Sequence, residues 1–313
     1  MATVQVLEIV TPVFGLILLG FLLRQIGFLS EREVGALVKV VYYLALPMTV
    51  FAAITSSDFN QVVHGPSLAG LALSLFTFGL AAFLVLGMMG MSLGIRAVTV
   101  ISSIRGNMAF VALPIIFNAW GRLALAKGGL ILGVLIAPIS VATVILFRVA
   151  GGAEQPGLKT VLRAFWDPIV VAAFLGIVVS WREVAVPEIL GEMVEMLAEM
   201  ALPSALLAIG ASFTPEILVS RATPTAVAIA GKLLLLPLWG FFVLHYLLGL
   251  PLDSLDLQVS VMILTSPASI SIYVVARQFL AAQAPVAGTT IALSTALATL
   301  TMTGWLALLI ALG

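Results

Sequence analysis

The chain of 313 residues contains no cysteine, which excludes a disulfide, a thiolate nucleophile and any Cys-ligated metal, and leaves the redox compartment unreadable. Charge is scarce as well. Asp, Glu, Lys and Arg make up 9% of the chain, where a soluble domain carries about a quarter. So few charges would not keep a folded surface dispersed in water, and lipid is the expected solvent for most of the chain. The formal net charge is zero, so the basic footprint that nucleic acid requires is missing. There is no His-Glu-x-x-His zinc motif, no aspartate pair at catalytic spacing and no Gly-rich phosphate loop with its lysine. An enzyme is therefore not expected, no cofactor or metal is implied, and ATP-driven transport would need another subunit.

What the chain has is apolar length, since 62% of its residues are hydrophobic. A bilayer-crossing helix needs about 20 mostly apolar residues. Polar or turn-rich breaks leave ten such segments, near 6–27, 34–55, 66–92, 98–120, 125–149, 161–181, 190–213, 222–249, 257–280 and 285–312. None alternates with period two, so a β-barrel is not the reading. No basic region precedes the first apolar run and no small-residue cleavage site follows it, so that run is read as a retained span.

Charge asymmetry predicts the orientation. The loops and helix ends after spans 1, 3, 5, 7 and 9 hold Arg24, Arg32, Lys39, Arg96, Arg148, Lys159, Arg163, Arg221, Lys232 and Arg277. The other side holds Arg122, Lys127 and Arg182. Positive charge stays cytoplasmic, which puts both termini on the non-cytoplasmic side.

The two halves align without a gap at an offset of 156. Pro12 meets Pro168, Leu19 and Gly20 meet Leu175 and Gly176, Gly35 meets Gly191, and Val38 meets Val194. Ala45-Leu46-Pro47 meets Ala201-Leu202-Pro203, Ala52 meets Ala208, and Ser56 meets Ser212. Repeat 1 is then 1–150 and repeat 2 is 161–313, joined by the polar connector 151–160. Five spans is an odd number, so the second copy enters the membrane upside down. Inverted repeats are the signature of secondary transporters, whose site lies near the midplane where the repeats meet.

One span in each half is interrupted by polar residues and proline. Span 4 holds Ser102, Ser103, Arg105, Gly106 and Asn107, then Pro114; span 9 holds Thr265, Ser266, Pro267, Ser269 and Ser271, then Tyr273. Proline removes a donor and crowds the preceding turn. Irregular backbone persists at membrane depth only where protein buries it or a watery cavity wets it. Half-helix N-termini at such a break suit an anion, although a kink can also be only a kink.

In order and spacing these motifs resemble the auxin efflux carrier family, which includes plant PIN-FORMED proteins and bacterial carriers. Asn107, Phe110 and Pro114 match its fourth span, although Ala109 and Ala112 stand where glycines are expected. Pro267, Tyr273, Ala276 and Arg277 match its ninth. LALP from Leu44, LPSALLAIGASF from Leu202 and KLLLLP from Lys232 resemble its second, seventh and eighth spans. The resemblance implies an elevator-like carrier of small organic anions, such as malonate or malate in bacterial members. Spans 1, 2, 6 and 7 would form a scaffold able to make a homodimer, and spans 3–5 and 8–10 a moving domain. Broken helices 4 and 9 would cross at Pro114 and Pro267. The short connector, without the long loop of many plant members, favours a compact carrier of the bacterial inner membrane.

On this reading Asn107 donates to a substrate carboxylate, against the alternative of an interhelical hydrogen bond. Ser266, Ser269 and Ser271 are donors on the opposite half-helix or small packing residues. Arg105 attracts the anion or snorkels to the interface. Glu192, Glu195 and Glu199 share a helical face; Glu199, the deepest, is a proton-coupling group or the end of a solvated stripe. Lys232 is read as a snorkelling interface residue rather than a buried counter-ion. His64 and His245 receive no role, and Asp253 and Asp256 fall in a short external loop. A sodium-coupled symporter resembling the bile-acid transporters is the closest rival, with an ion channel behind it. Sodium would need a cage of carbonyl and carboxylate oxygens, and no Asp or Glu stands near the two breaks.

Overall fold

The computed structural model describes residues 2–152, 157, 162–212 and 222–312. Most of the connector 151–160, the start of the sixth expected span, and Lys159 and Arg221 lie outside them. Among the described residues the regular structure is helical, apart from one isolated antiparallel bridge between Gly106 and Ala268. Seven helical stretches are long and apolar enough to cross a bilayer, from Glu8–Gln25 to Ala281–Leu312, and Leu93–Ile104, Pro168–Trp181 and Leu255–Leu264 are shorter apolar helices. The chain is an all-helical, multi-pass membrane protein.

Spans 4 and 5 are divided at Gly121, within the apolar stretch Met108–Ala150, where the backbone leaves helical geometry. Gly121 has φ 74° and ψ −158°, a conformation open to glycine because it lacks a β-carbon. In the described part of span 6 the long helix is Pro168–Trp181. Asp167 sets its start: the side chain accepts from the Ile169 N–H at 2.9 Å, and Pro168 takes the first position, where its missing donor costs nothing.

Proline inside the spans is accommodated in a repeated way. The five-residue π-helical turns Val41–Ala45, Met108–Ala112 and Gly231–Leu235 each precede a helix whose second residue is proline, at Pro47, Pro114 and Pro237. A proline ring clashes with the carbonyl four residues back. A widened turn just before it relieves that clash and lets the helix continue rather than break.

Contacts divide the chain into two compact units, each drawn from both halves of the sequence. The first comprises Met1–Gly65, Ala109–Ile136 and Phe165–Phe213. Its closest contact joins the helices Ala2–Gln25 and Ala201–Ala211, where a β-carbon on Gly20 would strike the Leu207 carbonyl and one on Gly210 the Ile17 carbonyl. Lipid gives no hydrophobic push between helices, so small residues that let backbones touch are the main source of cohesion. Leu46–Thr55 is held by the Thr49 hydroxyl, which donates to Ala45 O at 2.9 Å and Ala198 O at 3.1 Å. The Tyr42 hydroxyl donates to Asp167 Oδ2 at 2.5 Å, and its ring stacks on Phe110.

The second unit comprises Pro66–Met108, Ala137–Ala164 and Thr214–Gly313. Its core gathers Val98, Ile101, Phe147, Ala268, Ile272 and Ala287, among others, around the two chain breaks. Glycine again permits close approach: a β-carbon on Gly240 would meet the Leu264 side chain, and one on Gly151 the Phe279 carbonyl.

Candidate functional site

The second unit brings together the two polar interruptions seen in the sequence. The helix Leu93–Ile104 ends at Arg105, whose backbone turns extended (φ −85°, ψ 99°). The helix Leu255–Leu264 ends at Thr265, and the chain turns helical again at Ser271–Phe279. Between these ends two short extended segments run antiparallel. The Asn107 N–H donates to Pro267 O at 2.6 Å, the Ser269 N–H donates to Arg105 O at 3.1 Å, and Gly106 bridges Ala268. The main chain thus satisfies itself at a depth where an unpaired backbone group costs several kcal/mol. Ala268 N–H donates to Ser294 Oγ at 3.1 Å, which fastens the joint to the last helix, Ala284–Leu312. Gly106 suits the tight approach: a β-carbon would strike Ser266 Oγ and stand 2.9 Å from Lys232 Nζ, so both side chains would have to shift.

The break in the fourth span therefore lies at Arg105–Asn107, and the expectation that helices cross at Pro114 gives way. Pro114 follows a π turn that carries the helix past it, and glycine at the bridge supplies the close approach instead. Pro267 does lie at the joint, as an acceptor through its carbonyl.

The other expected ligands differ in what they have left to offer. Asn107 is 7% exposed, and among the described residues its side-chain amide has no hydrogen-bond partner. Ser269 and Ser271 are half-buried, their hydroxyls 2.9 Å apart. Ser266 is fully buried, its hydroxyl donating to Ile263 O at 2.8 Å as a helix-end cap. Arg105 is half-buried, its Nη1 donating to Thr143 Oγ1 and its Nη2 to Ser140 Oγ, both at 3.1 Å. Behind Ser269 and Ser271 lies the positive end of the dipole of Ser271–Phe279, although the Ile272 and Tyr273 N–H groups of its first turn already donate to Ser269 O and Ile270 O, each at 3.1 Å.

Lys232 overturns its sequence reading. It is fully buried, in the π turn Gly231–Leu235, and its ammonium donates to Leu264 O at 2.9 Å, at the end of the helix that leads into the joint. Hydropathy cannot separate a face turned to lipid from one turned to protein, so its place was hidden. The available signal was a charge well inside an apolar run, in itself a mark of function. Lys127 is also buried, so neither lysine counts as a loop charge.

Glu199 and Pro114 belong to a different feature, a cavity of about 330 Å³ in the first unit. Thr49, Asn118, Arg122 and Glu195 also line it, and Arg122 pairs with Glu195 at its rim. Glu199 is exposed there, at the end of the helix Glu188–Glu199.

A chain that stitches two interrupted apolar helices together around unfilled polar groups has the anatomy of a carrier, and its relatives agree. Residues 5–152 and 155–306 match the family described as membrane transport protein. The chain belongs to that family. A relative from Rhizobium meliloti (strain 1021), named "Putative malonate transporter", is 24% identical over 310 residues, 97% of this chain and 96% of its own. An uncharacterized transporter of Methanocaldococcus jannaschii is 23% identical over 225 residues, 68% of this chain and 70% of its own. The auxin-efflux-carrier resemblance read from the motifs is thus met by a family match over nearly the whole membrane transport protein.

Proposed function

We propose that the protein is a secondary carrier of small organic anions, with carboxylates of malonate size as its cargo, in the bacterial inner membrane. The observation that carries this reading is the joint itself. The unpartnered amide of Asn107 and the hydroxyls of Ser269 and Ser271 can donate, the positive end of a helix dipole lies beside them, and among the described residues of its two segments, 105–107 and 267–269, none is acidic. A site rich in donors and poor in carboxylates favours an anion. The relative named for malonate supports a small dicarboxylate. Arg105 adds positive charge while held by Ser140 and Thr143, and Glu199 is the group assigned to proton coupling.

The architecture belongs to the same proposal. The two repeats are inverted, spans 1, 2, 6 and 7 form a scaffold that pairs in a homodimer, and the unit holding the joint moves as an elevator. Both termini face the non-cytoplasmic side. The gathering of the joint's residues into one compact unit supports this.

Uptake of labelled malonate, malate and indole-acetate into proteoliposomes tests the function. Saturable uptake of one of them is expected. Asn107→Ala removes a donor to a charged ligand, worth about 1.5–3 kcal/mol, so apparent affinity should weaken roughly ten- to hundredfold. Normal uptake by folded Asn107→Ala would remove that residue from the site, and rapid ion conductance without saturable uptake would make the protein a channel.

A further inference from the structure

Lys232 brings a positive charge into the second unit that, among the described residues, no negative charge answers. It is fully buried, and its ammonium has a single hydrogen-bond partner, Leu264 O at 2.9 Å. An ammonium has three donors, and burying its charge is costly unless a counter-charge stands in for the lost water. Among the described residues no carboxylate lies within ion-pair distance of it. The helices Ala222–Ala230, Leu236–Phe241 and Ala284–Leu312, which pack around its π turn, carry no ionisable residue. Leu93–Ile104 carries Arg96, which is occupied with the Phe83 carbonyl and ring, and Arg105 follows it. Leu255–Leu264 carries Asp256 at its opposite end, eight residues and about 12 Å from Leu264.

That charge stands beside the donors proposed to meet the anion. Leu264 ends the helix that leads into the joint. A β-carbon built on Gly106 would be 2.9 Å from Nζ, so the Gly106 α-carbon itself lies within about 4.5 Å of the ammonium. Asn107 is the next residue. A carboxylate held at the joint would then lie on the order of 10 Å from Nζ, near enough for two charges to act on each other through protein. The Asn107 amide and the hydroxyls of Ser269 and Ser271 can donate to a carboxylate or to a carboxamide of the same shape. A fixed charge is what tells the two apart.

Resting on the anion-carrier reading above, we propose that Lys232 is a specificity-determining residue whose counter-charge is the cargo, so that the site prefers charged over neutral cargo by a margin that grows with each negative charge. Lys232 is not a direct ligand. Its field acts across the Gly106 backbone, while its hydrogen bond to Leu264 O keeps the ammonium in place.

Malonate, malonamate and malonamide test this, because they share a shape and carry two, one and no charges at a pH well above the carboxylate range. Binding is read from the rise of the unfolding midpoint in detergent, and transport from competition with labelled malonate in proteoliposomes. Wild type should prefer them in that order. One unit of charge at about 10 Å, with an effective dielectric of about 20, is worth roughly tenfold in affinity. Lys232→Met, which keeps the length without the charge, should therefore lose about tenfold for malonamate, about a hundredfold for malonate and nothing for malonamide. Lys232→Gln, which keeps a donor for Leu264 O, should show the same graded loss and carries the test if the Met variant does not fold. An equal loss for all three compounds, or no loss, would overturn the proposal and leave Lys232 a clamp on the Leu264 helix end. A wild type that takes malonamide as well as malonate would overturn it too. A wild type that binds and carries none of the three would overturn the carrier reading, and this proposal with it, whereas an ungraded loss overturns the proposal alone.

Discussion

Replacing Gly106 by alanine would place one methyl group at the tightest point of the joint. That carbon would overlap Ser266 Oγ and stand 2.9 Å from Lys232 Nζ and 3.2 Å from Lys232 Cε. Overpacking a filled interior costs about 1–3 kcal/mol. If the segment moved away to relieve the overlap, the bonds from Asn107 N–H to Pro267 O and from Ser269 N–H to Arg105 O would stretch, each worth about 0.5–1.5 kcal/mol. By either route the effect should reach roughly 1–3 kcal/mol, or about 3–10 °C in the unfolding midpoint. Thermal unfolding in detergent reads it directly, and malonate uptake should fall in parallel. Gly304→Ala, in the last helix with nothing within 4 Å of its β position, is the control and should stay within about 1 kcal/mol of wild type. Removing the overlapping oxygen in Gly106→Ala/Ser266→Ala should restore part of the loss, with a coupling of about 1 kcal/mol. If Gly106→Ala unfolded like Gly304→Ala and transported normally, the joint would not be the tight bridge described above.

Two further substitutions probe the first unit. Gly210→Ala should destabilise by about 3 kcal/mol or more, because its methyl group would meet the Ile17 backbone, which cannot rotate away as a side chain can; size-exclusion profile and unfolding midpoint would both register the loss. Tyr42→Phe removes the hydroxyl that donates to Asp167 and should lower stability by about 1.5–3 kcal/mol while malonate affinity stays at the wild-type value; a changed affinity would give Tyr42 a part in binding that its contacts do not suggest.

Much of this protein was legible in its sequence because lipid is an exacting solvent. Apolar runs of sufficient length had to be helices, and the polar clusters at Ser102–Asn107 and Thr265–Ser271 had to be shielded, while their meeting was implied only by the family resemblance. The location of the fourth-span break was misread at Pro114 because proline is a conspicuous helix breaker. The chain instead absorbs that ring with a π turn, as it does before Pro47 and Pro237, and breaks at Gly106, a quieter residue. Lys232 was misread for another reason. Periodicity reports which residues share a face but not whether lipid or protein lies opposite, so a lysine flanked by leucines looked like an interface residue. Arg105 was left open between two roles, and its partners, the hydroxyls of Ser140 and Thr143, are 35 and 38 residues away in sequence, beyond the reach of any local pattern.

The joint of the second unit is tied by main-chain atoms: the N–H of Asn107 with the carbonyl of Pro267, and the N–H of Ser269 with the carbonyl of Arg105. Peptide groups are the same in every sequence, so the knot does not depend on which side chains stand beside it, provided Gly106 stays bare. Positions 107, 269 and 271 are thereby released from structural duty. If those positions meet the cargo, as proposed above, mutation can explore there without first dismantling the joint, and a lineage built on this knot can change what it carries faster than it changes its shape.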